Sequence, residues 1–224
     1  MARNPQKSNS HGSLKQMQIL VNEKPEIINE MICAKFKAFN NENIEWISPI
    51  KCDDYSEYTD DDFIRKLRLD PAEINLKEFW PSRGANWDGL AKTETGKLIL
   101  VEAKANIPEM VSPSTKAKSS SLLQIQSSLK LTKEYLGKGK GIDWSKTFYQ
   151  YTNRVAHLYY LRVVRNKPAY LVNIYFIGDE SVNGPKTQEE WEGALKVMQL
   201  YLGLHSHKLK KYMADIFVDV SMLN

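Results

Sequence analysis

The sequence predicts an α/β fold with a mixed central β-sheet flanked by α-helices. Its patterns follow the order helix, strand, hairpin, helices, strand, helix, strand, which is typical of α/β proteins. The clearest strand is Ala169 to Ile177, because it is rich in β-branched and aromatic residues. A second apolar run, Leu98 to Ala105, follows a turn sequence that contains Gly96. A length of 224 residues suits one large domain.

A helix, a strand and a loop are predicted before the hairpin. Asn22 is a candidate helix cap and Pro25 falls in the first turn, so a helix is expected to run from there to Asn40. The segment Ile44 to Ile50 alternates between apolar and polar residues, which indicates a strand. The acidic block Asp53 to Asp62 is expected to form a loop.

A β-hairpin is predicted from Asn86–Lys92 and Lys97–Lys104. Gly96 lies in the turn between them and can adopt the positive φ that a short connection often requires. Because successive residues of a strand point to opposite faces, Glu102 and Lys104 are expected to share one face. Two charges at the end of an apolar strand need partners or a bound ion to offset their desolvation.

The second half of the chain is predicted to contain three helices and a final strand. The helices are expected at Leu122–Leu136, Trp144–Arg165 and Thr187–Gly203, and the strand at Asp215–Met222. A glycine ends the first and third helices, as is common at helix C-termini. The second helix is apolar on most sides, which indicates that it is buried.

The composition is that of an ordinary soluble globular protein. Hydrophobic residues make up 42% and charged residues 26%, and no apolar stretch approaches the roughly 20 residues of a membrane span. The polar start, residues 1–13, is predicted to be a disordered tail, with residues 14–224 forming one domain. Cys33 and Cys52 lack metal-site spacing and are too few for a disulfide framework, so a cytoplasmic protein is expected. The lack of a long apolar stretch predicts no membrane contact.

Positive charge is concentrated in the middle of the chain. The net charge is only +4, but the segment Ala91 to Tyr170 holds fourteen Lys and Arg residues against five Asp and Glu residues. A basic region around a hairpin that carries carboxylates is compatible with a polyanionic substrate held near a metal ion. A solvated, lysine-rich surface explains the same charges, and the charge pattern alone favours neither interpretation.

The hairpin carries a candidate metal site. Its two strands can bring Asp88 beside Glu102, and hard cations such as Mg²⁺ or Mn²⁺ bind one or two carboxylates together with water and phosphate. The backbone carbonyl of Ala103 lies between the two site residues of the second strand and is a further candidate ligand. Lys104 could orient an attacking water or stabilise charge on the phosphorus. The structural alternative is a Glu–Lys pair on an exposed strand face, with Asp88 in a turn.

Asp88 followed by Glu102-Ala103-Lys104 resembles the signature of the PD-(D/E)XK nuclease superfamily. Three longer segments are similar to a group of prokaryotic proteins placed in that superfamily: Trp80–Gly89, Leu100–Ala105 and Tyr149–Arg162. The likeness covers most of the chain after the tail, and it implies a restriction-endonuclease-like core with a metal site but no known substrate. Trp87 stands where the superfamily has a proline before the aspartate.

The resemblance also points to residues outside the hairpin. Superfamily members often add an acidic residue from the first helix, and Glu30 is the candidate here, with Glu26 behind it.

Four polar residues of the predicted buried helix are spaced three and four apart and form one stripe: Gln150, Asn153, Arg154 and His157. Gln150 and Arg154 could contact phosphate or orient Glu102. The stripe could equally consist of buried hydrogen-bonding groups that tie the helix to loops. Lys116 and Lys118 lie in a long irregular loop that could bind a nucleic-acid backbone or be a solvated flexible segment.

The sequence therefore predicts a nuclease that hydrolyses phosphodiester bonds with Mg²⁺ or Mn²⁺, acting on DNA rather than RNA. The alternatives are a nucleic-acid-binding or accessory module that keeps the nuclease fold without catalysis, and a structural protein in which the charges merely pair. A homodimer would suit double-strand cleavage.

Overall fold

The fold is built around one mixed sheet of five strands. A computed structural model describes residues 3–8 and 10–223. Within these residues the chain forms seven strands: β1 Arg3–Asn4, β2 Ile44–Ser48, β3 Glu57–Tyr58, β4 Gly89–Thr93, β5 Leu98–Lys104, β6 Ala169–Ile177 and β7 Met213–Asp219. The main sheet has the order β2-β4-β5-β6-β7, in which the first two junctions are antiparallel and the last two are parallel. The small strands β1 and β3 form a separate antiparallel pair.

Helices cover both faces of the main sheet. They are α1 Gly12–Asn22, α2 Pro25–Lys35, α3 Asp60–Lys66, α4 Pro71–Ile74, α5 Leu76–Phe79, α6 Ile107–Met110, α7 Ser119–Leu136, α8 Tyr149–Tyr159 and α9 Gln188–Leu202. Apolar residues of α1 and α2 form one buried cluster with one face of the sheet. Residues of α3, α7, α8 and α9 form a second cluster with the other face. The predicted α/β fold, with a mixed sheet flanked by helices, is confirmed.

The alternation of side chains along β5 places its residues in both cores. Ile99 and Val101 belong to the cluster that contains α1, whereas Leu98 and Leu100 belong to the cluster that contains α8. Burial on both faces explains why the strand reads as a continuous apolar run rather than an alternating one. Because alternate residues share a face, the strand directs the side chain of Glu102 towards the cluster that contains α8.

The predicted hairpin is present, and its turn requires a glycine. Strand β4 pairs with β5 in the register Gly89 to Val101, and Gly96 has a φ of +85° in the turn between them. Gly89 also allows a close approach, since a Cβ atom there would lie 3.0 Å from Cε of Met17 and 3.1 Å from Cβ of Val101. The hairpin therefore packs directly beneath α1.

The N-terminal region differs from the predicted disordered tail. Arg3 and Asn4 form β1, which pairs with β3, and helix α1 already begins at Gly12. Arg3 holds the strand in place through Asp53 at 3.2 Å and Asp54 at 2.8 Å. The tail prediction is corrected at these positions, while its residues Met1, Ala2 and Asn9 lie outside the described residues.

Other boundaries also differ from the prediction. Helix α2 ends at Lys35 rather than at Asn40, and the last strand is Met213–Asp219 rather than Asp215–Met222. Asn22 ends α1 instead of capping α2, because its side chain donates to the carbonyls of Gln18 and Pro49. The helix expected from Trp144 begins only at Tyr149, after Phe148 adopts a φ of +62°. The acidic block is not a plain loop, since it contains β3 and the start of α3.

None of the helices in the described part of the chain is long and apolar enough to cross a membrane.

The interior strand β6 gives a direct test of the two-core arrangement. Leu171 has no exposed surface, so Leu171→Ala is expected to lower the free energy of unfolding by about 2–5 kcal/mol. Leu123 of α7 is 69% exposed, and Leu123→Ala is expected to change it by less than about 0.5 kcal/mol. Urea denaturation monitored by circular dichroism measures both, and equal midpoints for the two variants would contradict the fold.

Candidate active site

Glu102 lies buried between two cations at the end of β5. It is 6% exposed, and its Oε1 atom accepts a hydrogen bond from Nζ of Lys104. Its Oε2 atom lies 2.5 Å from Nε of Arg154, which comes from α8 and is 2% exposed. Each oxygen of the carboxylate therefore faces one positive charge, which offsets the desolvation of a buried anion.

Arg154 connects three parts of the molecule. Besides Glu102, its guanidinium donates from Nη2 to the carbonyl of Asn86 at 2.6 Å. The same group lies over the ring of Trp87, 4.8 Å from the ring centroid. Helix α8 is thereby fixed to β5 and to the segment that leads into β4. In the predicted polar stripe, Arg154 is the residue that orients Glu102.

Asp88 is held against the backbone of β5. Its Oδ2 atom accepts a hydrogen bond from the N–H of Ala103 at 2.7 Å. The N–H and C=O groups of one strand residue leave the strand on the same side, so the carbonyl of Ala103 also faces the segment that carries Asp88. The structure thus brings together the two carboxylates, the carbonyl and Lys104 that the sequence selects.

The charges of this cluster strongly influence one another. Burial and the nearby charge of Glu102 raise the pKa of Asp88 well above its usual value, although Lys104 opposes this shift. Burial alone would also raise the pKa of Glu102, but Arg154 and Lys104 outweigh it and lower that pKa. Burial would lower the pKa of Lys104, but the charges of Glu102 and Asp88 outweigh it and raise that pKa. Near neutral pH, Glu102 is therefore an anion and Lys104 a cation, and Asp88 keeps a proton more readily than Glu102 does.

Glu57 of β3 is a third acidic residue at this site, which the sequence interpretation missed. Its side chain accepts a hydrogen bond from Asn86, and it lines a small cavity together with Asp88. Burial raises the pKa of Glu57 to about 7, and the charge of Glu102 adds to the increase. Its place within the acidic block does not by itself identify Glu57 as a site residue. Its position is set by the pairing of β3 with β1 and by the contact of Tyr58 with Trp87, which join segments far apart in the sequence.

Glu30 is not brought to the site. It lies exposed on α2, and among the described residues no hydrogen bond or ion pair joins it to Asp88 or Glu102. Glu26 is exposed on the same helix. The choice of Glu30 assumed that α2 would be the first helix of the fold, but α1 precedes it and packs against β5. In this structure the additional acid comes from β3 rather than from a helix.

The remaining stripe residues have different roles. His157 is fully buried among aromatic rings, and burial lowers its pKa to about 3, so its ring is neutral. Gln150 is half-buried, and its backbone N–H donates to Oγ of Ser112 at 2.8 Å. The ring packing of His157 and the backbone bond of Gln150 tie the helix to its surroundings, but neither is the side-chain hydrogen bond to a loop that the structural interpretation expects. Lys116 and Lys118 are exposed and line a separate groove.

The oxygen ligands present here suit a hard cation. Asp88, Glu102 and the carbonyl of Ala103 supply such oxygens, and magnesium typically uses one or two carboxylates and keeps several waters. Within the described residues, no group of three or more His, Cys, Asp and Glu side chains is arranged to hold a metal ion. Each Glu102 oxygen already accepts a hydrogen bond from a cation, so a metal ion bound there would lie close to the positive charge of Lys104 or Arg154.

Comparison with known proteins adds no relative: no family model, no curated protein and no solved structure matches this chain. The likeness to the PD-(D/E)XK superfamily stays a prediction from its motifs.

Removal of Arg154 is expected to destabilise the protein strongly, because it leaves Glu102 buried with one oxygen unpaired. Arg154→Met should lower the free energy of unfolding by about 3–5 kcal/mol. Arg68→Met is the matched control, since Arg68 is 68% exposed in its pair with Glu45 and should contribute at most about 1 kcal/mol. Chemical denaturation compares the two variants, and a cost for Arg154→Met as small as the control's would show that the buried pair does not hold the site.

Glu57 is expected to make stability depend on pH. Its pKa is about 7 in the folded protein against 4.5 for a free glutamate, so the folded state binds this proton more tightly than the unfolded state. Its contribution is fully present below about pH 4.5 and is lost as the pH rises through about 7, a change of roughly 3 kcal/mol.

Unfolding of the wild type and of Glu57→Gln, measured with EDTA between pH 5 and about 8, tests this dependence. Glu57→Gln should remove most of the roughly 3 kcal/mol by which Glu57 makes the free energy of unfolding change with pH. Glu45→Gln, at an exposed position, should keep the wild-type slope. Identical slopes for Glu57→Gln and the wild type would contradict the assignment.

Proposed function

We propose that this protein is a metal-dependent nuclease that hydrolyses phosphodiester bonds in nucleic acid, and in DNA rather than RNA. The observation that carries the proposal is the buried cluster of Asp88, Glu102 and Lys104 at the end of β5. An apolar strand that ends in inward charges is costly to bury, and here Arg154 on another element fixes the geometry. Buried charges with shifted pKa values are typical of sites that perform chemistry.

Each residue of the cluster has a distinct task in this proposal. Asp88, Glu102 and the carbonyl of Ala103 would hold Mg²⁺ or Mn²⁺. When bound, such an ion neutralises phosphate charge and acidifies a water molecule. Arg154 keeps the carboxylate of Glu102 in one orientation, as partners of ligating groups commonly do.

Lys104 acts as a cation rather than as a base. Because its pKa is raised by Glu102 and Asp88, its ammonium group stays protonated over the physiological range. It can donate hydrogen bonds to the attacking water and stabilise the charge that develops on the phosphoryl oxygens. The sequence allows two roles for Lys104, orienting the attacking water and stabilising charge on the phosphorus. The raised pKa of Lys104 agrees best with charge stabilisation.

A second candidate is a module that binds nucleic acid without cleaving it. It is favoured by the contacts of Lys104 and Arg154 with the two Glu102 oxygens, because the positive charge of these groups opposes a metal ion at that carboxylate. A cleavage assay distinguishes the two functions. A cytoplasmic location and a homodimer remain predictions from the sequence.

Lys104→Ala and Glu102→Ala are expected to abolish metal-dependent cleavage, with rates at least about a hundredfold below the wild type. The assay uses Mg²⁺ and Mn²⁺ with single-stranded, duplex, nicked and branched DNA, and EDTA should stop the reaction. Lys130→Ala is the control, since Lys130 is an exposed lysine on α7.

Glu102→Ala leaves two buried cations without their carboxylate, so Glu102→Gln is tested beside it as the variant of equal size. It should fold, as judged by circular dichroism, and still fail to cleave. If the wild type cleaves none of these substrates or their RNA equivalents with either metal, the nuclease proposal is wrong and the binding module replaces it.

A further inference from the structure

A groove lined by three exposed cations lies beside the candidate active site. It runs between the Trp80–Gly84 loop and the Thr115–Lys118 segment, and it has a volume of about 410 Å³. We call it the basic groove. This volume falls within the range of pockets that bind small molecules.

The charges of the basic groove favour an anion. Arg83, Lys116 and Lys118 are all exposed, and among the described residues none of their side chains is in an ion pair with an acid. Lys118 directly precedes the 18-residue helix α7, and Ser121 of its first turn also lines the groove. Lysine, arginine, serine and the start of a helix are the groups that proteins use to contact phosphate.

Asn153 adds a requirement that a simple anion does not meet. It lines the same groove, is 5% exposed, and its Oδ1 atom is buried without a hydrogen-bond partner. A buried acceptor without a donor is costly, so most such groups in folded proteins find a partner. A ligand for this groove should therefore carry an N–H donor as well as a phosphate, and nucleotides of adenine, guanine or cytosine carry both.

Hydrogen bonds hold the walls of the basic groove before any ligand arrives. The carboxylate of Asp60 accepts from the N–H groups of Arg83 and Gly84, each at 2.9 Å. On the other side, the N–H of Thr115 donates to the carbonyl of Ser145 at 2.9 Å. Both walls are thus anchored to other parts of the chain, and a preformed site loses less entropy when it binds.

Residues that line the basic groove are close in sequence to residues that hold the buried cluster of Asp88, Glu102 and Lys104. Asn153 is followed by Arg154, which contacts Glu102, and Gly84 lies two residues before Asn86, whose carbonyl accepts from Arg154. We propose that the basic groove binds one unpaired nucleotide of a single strand, with its phosphate at Lys116 and Lys118 and its base at Asn153. Bases stacked and paired within a duplex cannot reach an amide that is 95% enclosed, whereas an unpaired base can.

This inference deepens the proposed function, because it names the form of nucleic acid that the neighbouring site would act on. Binding needs no metal ion, however, so it can be tested separately. A protein that cleaves nucleic acid but does not prefer single strands would support only the nuclease proposal. A protein that prefers single strands but does not cleave them would support only the groove proposal.

The test is the binding of fluorescein-labelled single-stranded oligonucleotides in EDTA, followed by fluorescence anisotropy. The wild type should bind the single strand at least about tenfold more tightly than a duplex of the same sequence. Lys116→Ala/Lys118→Ala should weaken binding and reduce the slope of log K against log salt by about 1.4, the value for two phosphate contacts on a single strand. Lys130→Ala/Lys186→Ala removes the same charge from exposed positions outside the groove and should bind like the wild type.

The base contact is tested with abasic oligonucleotides of equal charge. The wild type should bind them about tenfold more weakly than intact strands, and Asn153→Ala should largely abolish that difference. Because Asn153 is buried, Ser121→Phe serves as a second variant that fills the groove from a half-buried position, and it should block binding while the melting temperature stays unchanged.

Two results would overturn the inference. One is equal affinity for single strands and duplexes, and the other is a lysine double variant that binds like the wild type. Matched DNA and RNA strands are compared in the same assay, and a preference of the wild type for either unpaired strand over its duplex supports the groove and identifies the sugar.

Discussion

The buried ion pair between Arg154 and Glu102 is the interaction on which the candidate site depends. It joins α8 to the end of β5, and the same guanidinium also holds the Asn86 carbonyl and lies over Trp87. A charge pair at 2–6% exposure is weak evidence for stability, because apolar residues of the same size often serve as well. The pair matters for geometry, since it allows Glu102 one orientation and places its carboxylate beside Lys104 and the segment that carries Asp88.

The balance of charge around this pair links the fold to the proposed chemistry. Three acidic residues, Glu57, Asp88 and Glu102, lie close enough to influence one another's pKa values, and Lys104 and Arg154 oppose them. Two cations satisfy Glu102, but they leave the pKa values of Asp88 and Glu57 raised. A divalent cation would supply the missing positive charge, and it would also displace the proton that Asp88 tends to keep. The same α8 that fixes Glu102 carries Asn153 towards the basic groove, so one helix organises both proposed binding surfaces.

Local patterns were sufficient to predict the larger elements of the fold. The strand Ala169–Ile177 has the bounds expected for it, and Gly96 and Gly137 mark the turn and the helix end at which they were expected. Signals of this kind depend on residues close in sequence. The errors fall where a distant contact decides the structure: β1 forms only because β3 lies beside it, and Asn22 bonds Pro49 instead of capping α2.

The sequence by itself determined which charged groups of the hairpin come together. Glu102 and Lys104 share a face because strand side chains alternate, and the turn at Gly96 returns the chain so that Asp88 reaches the Ala103 backbone. Only the tertiary structure decided that Glu57 rather than Glu30 approaches the acids, and that Arg154 meets Glu102 from 52 positions away. The physical reason is that periodicity reports which face a residue occupies but not which element will pack against that face. Contacts between elements depend on packing across the whole core, and no short segment encodes them.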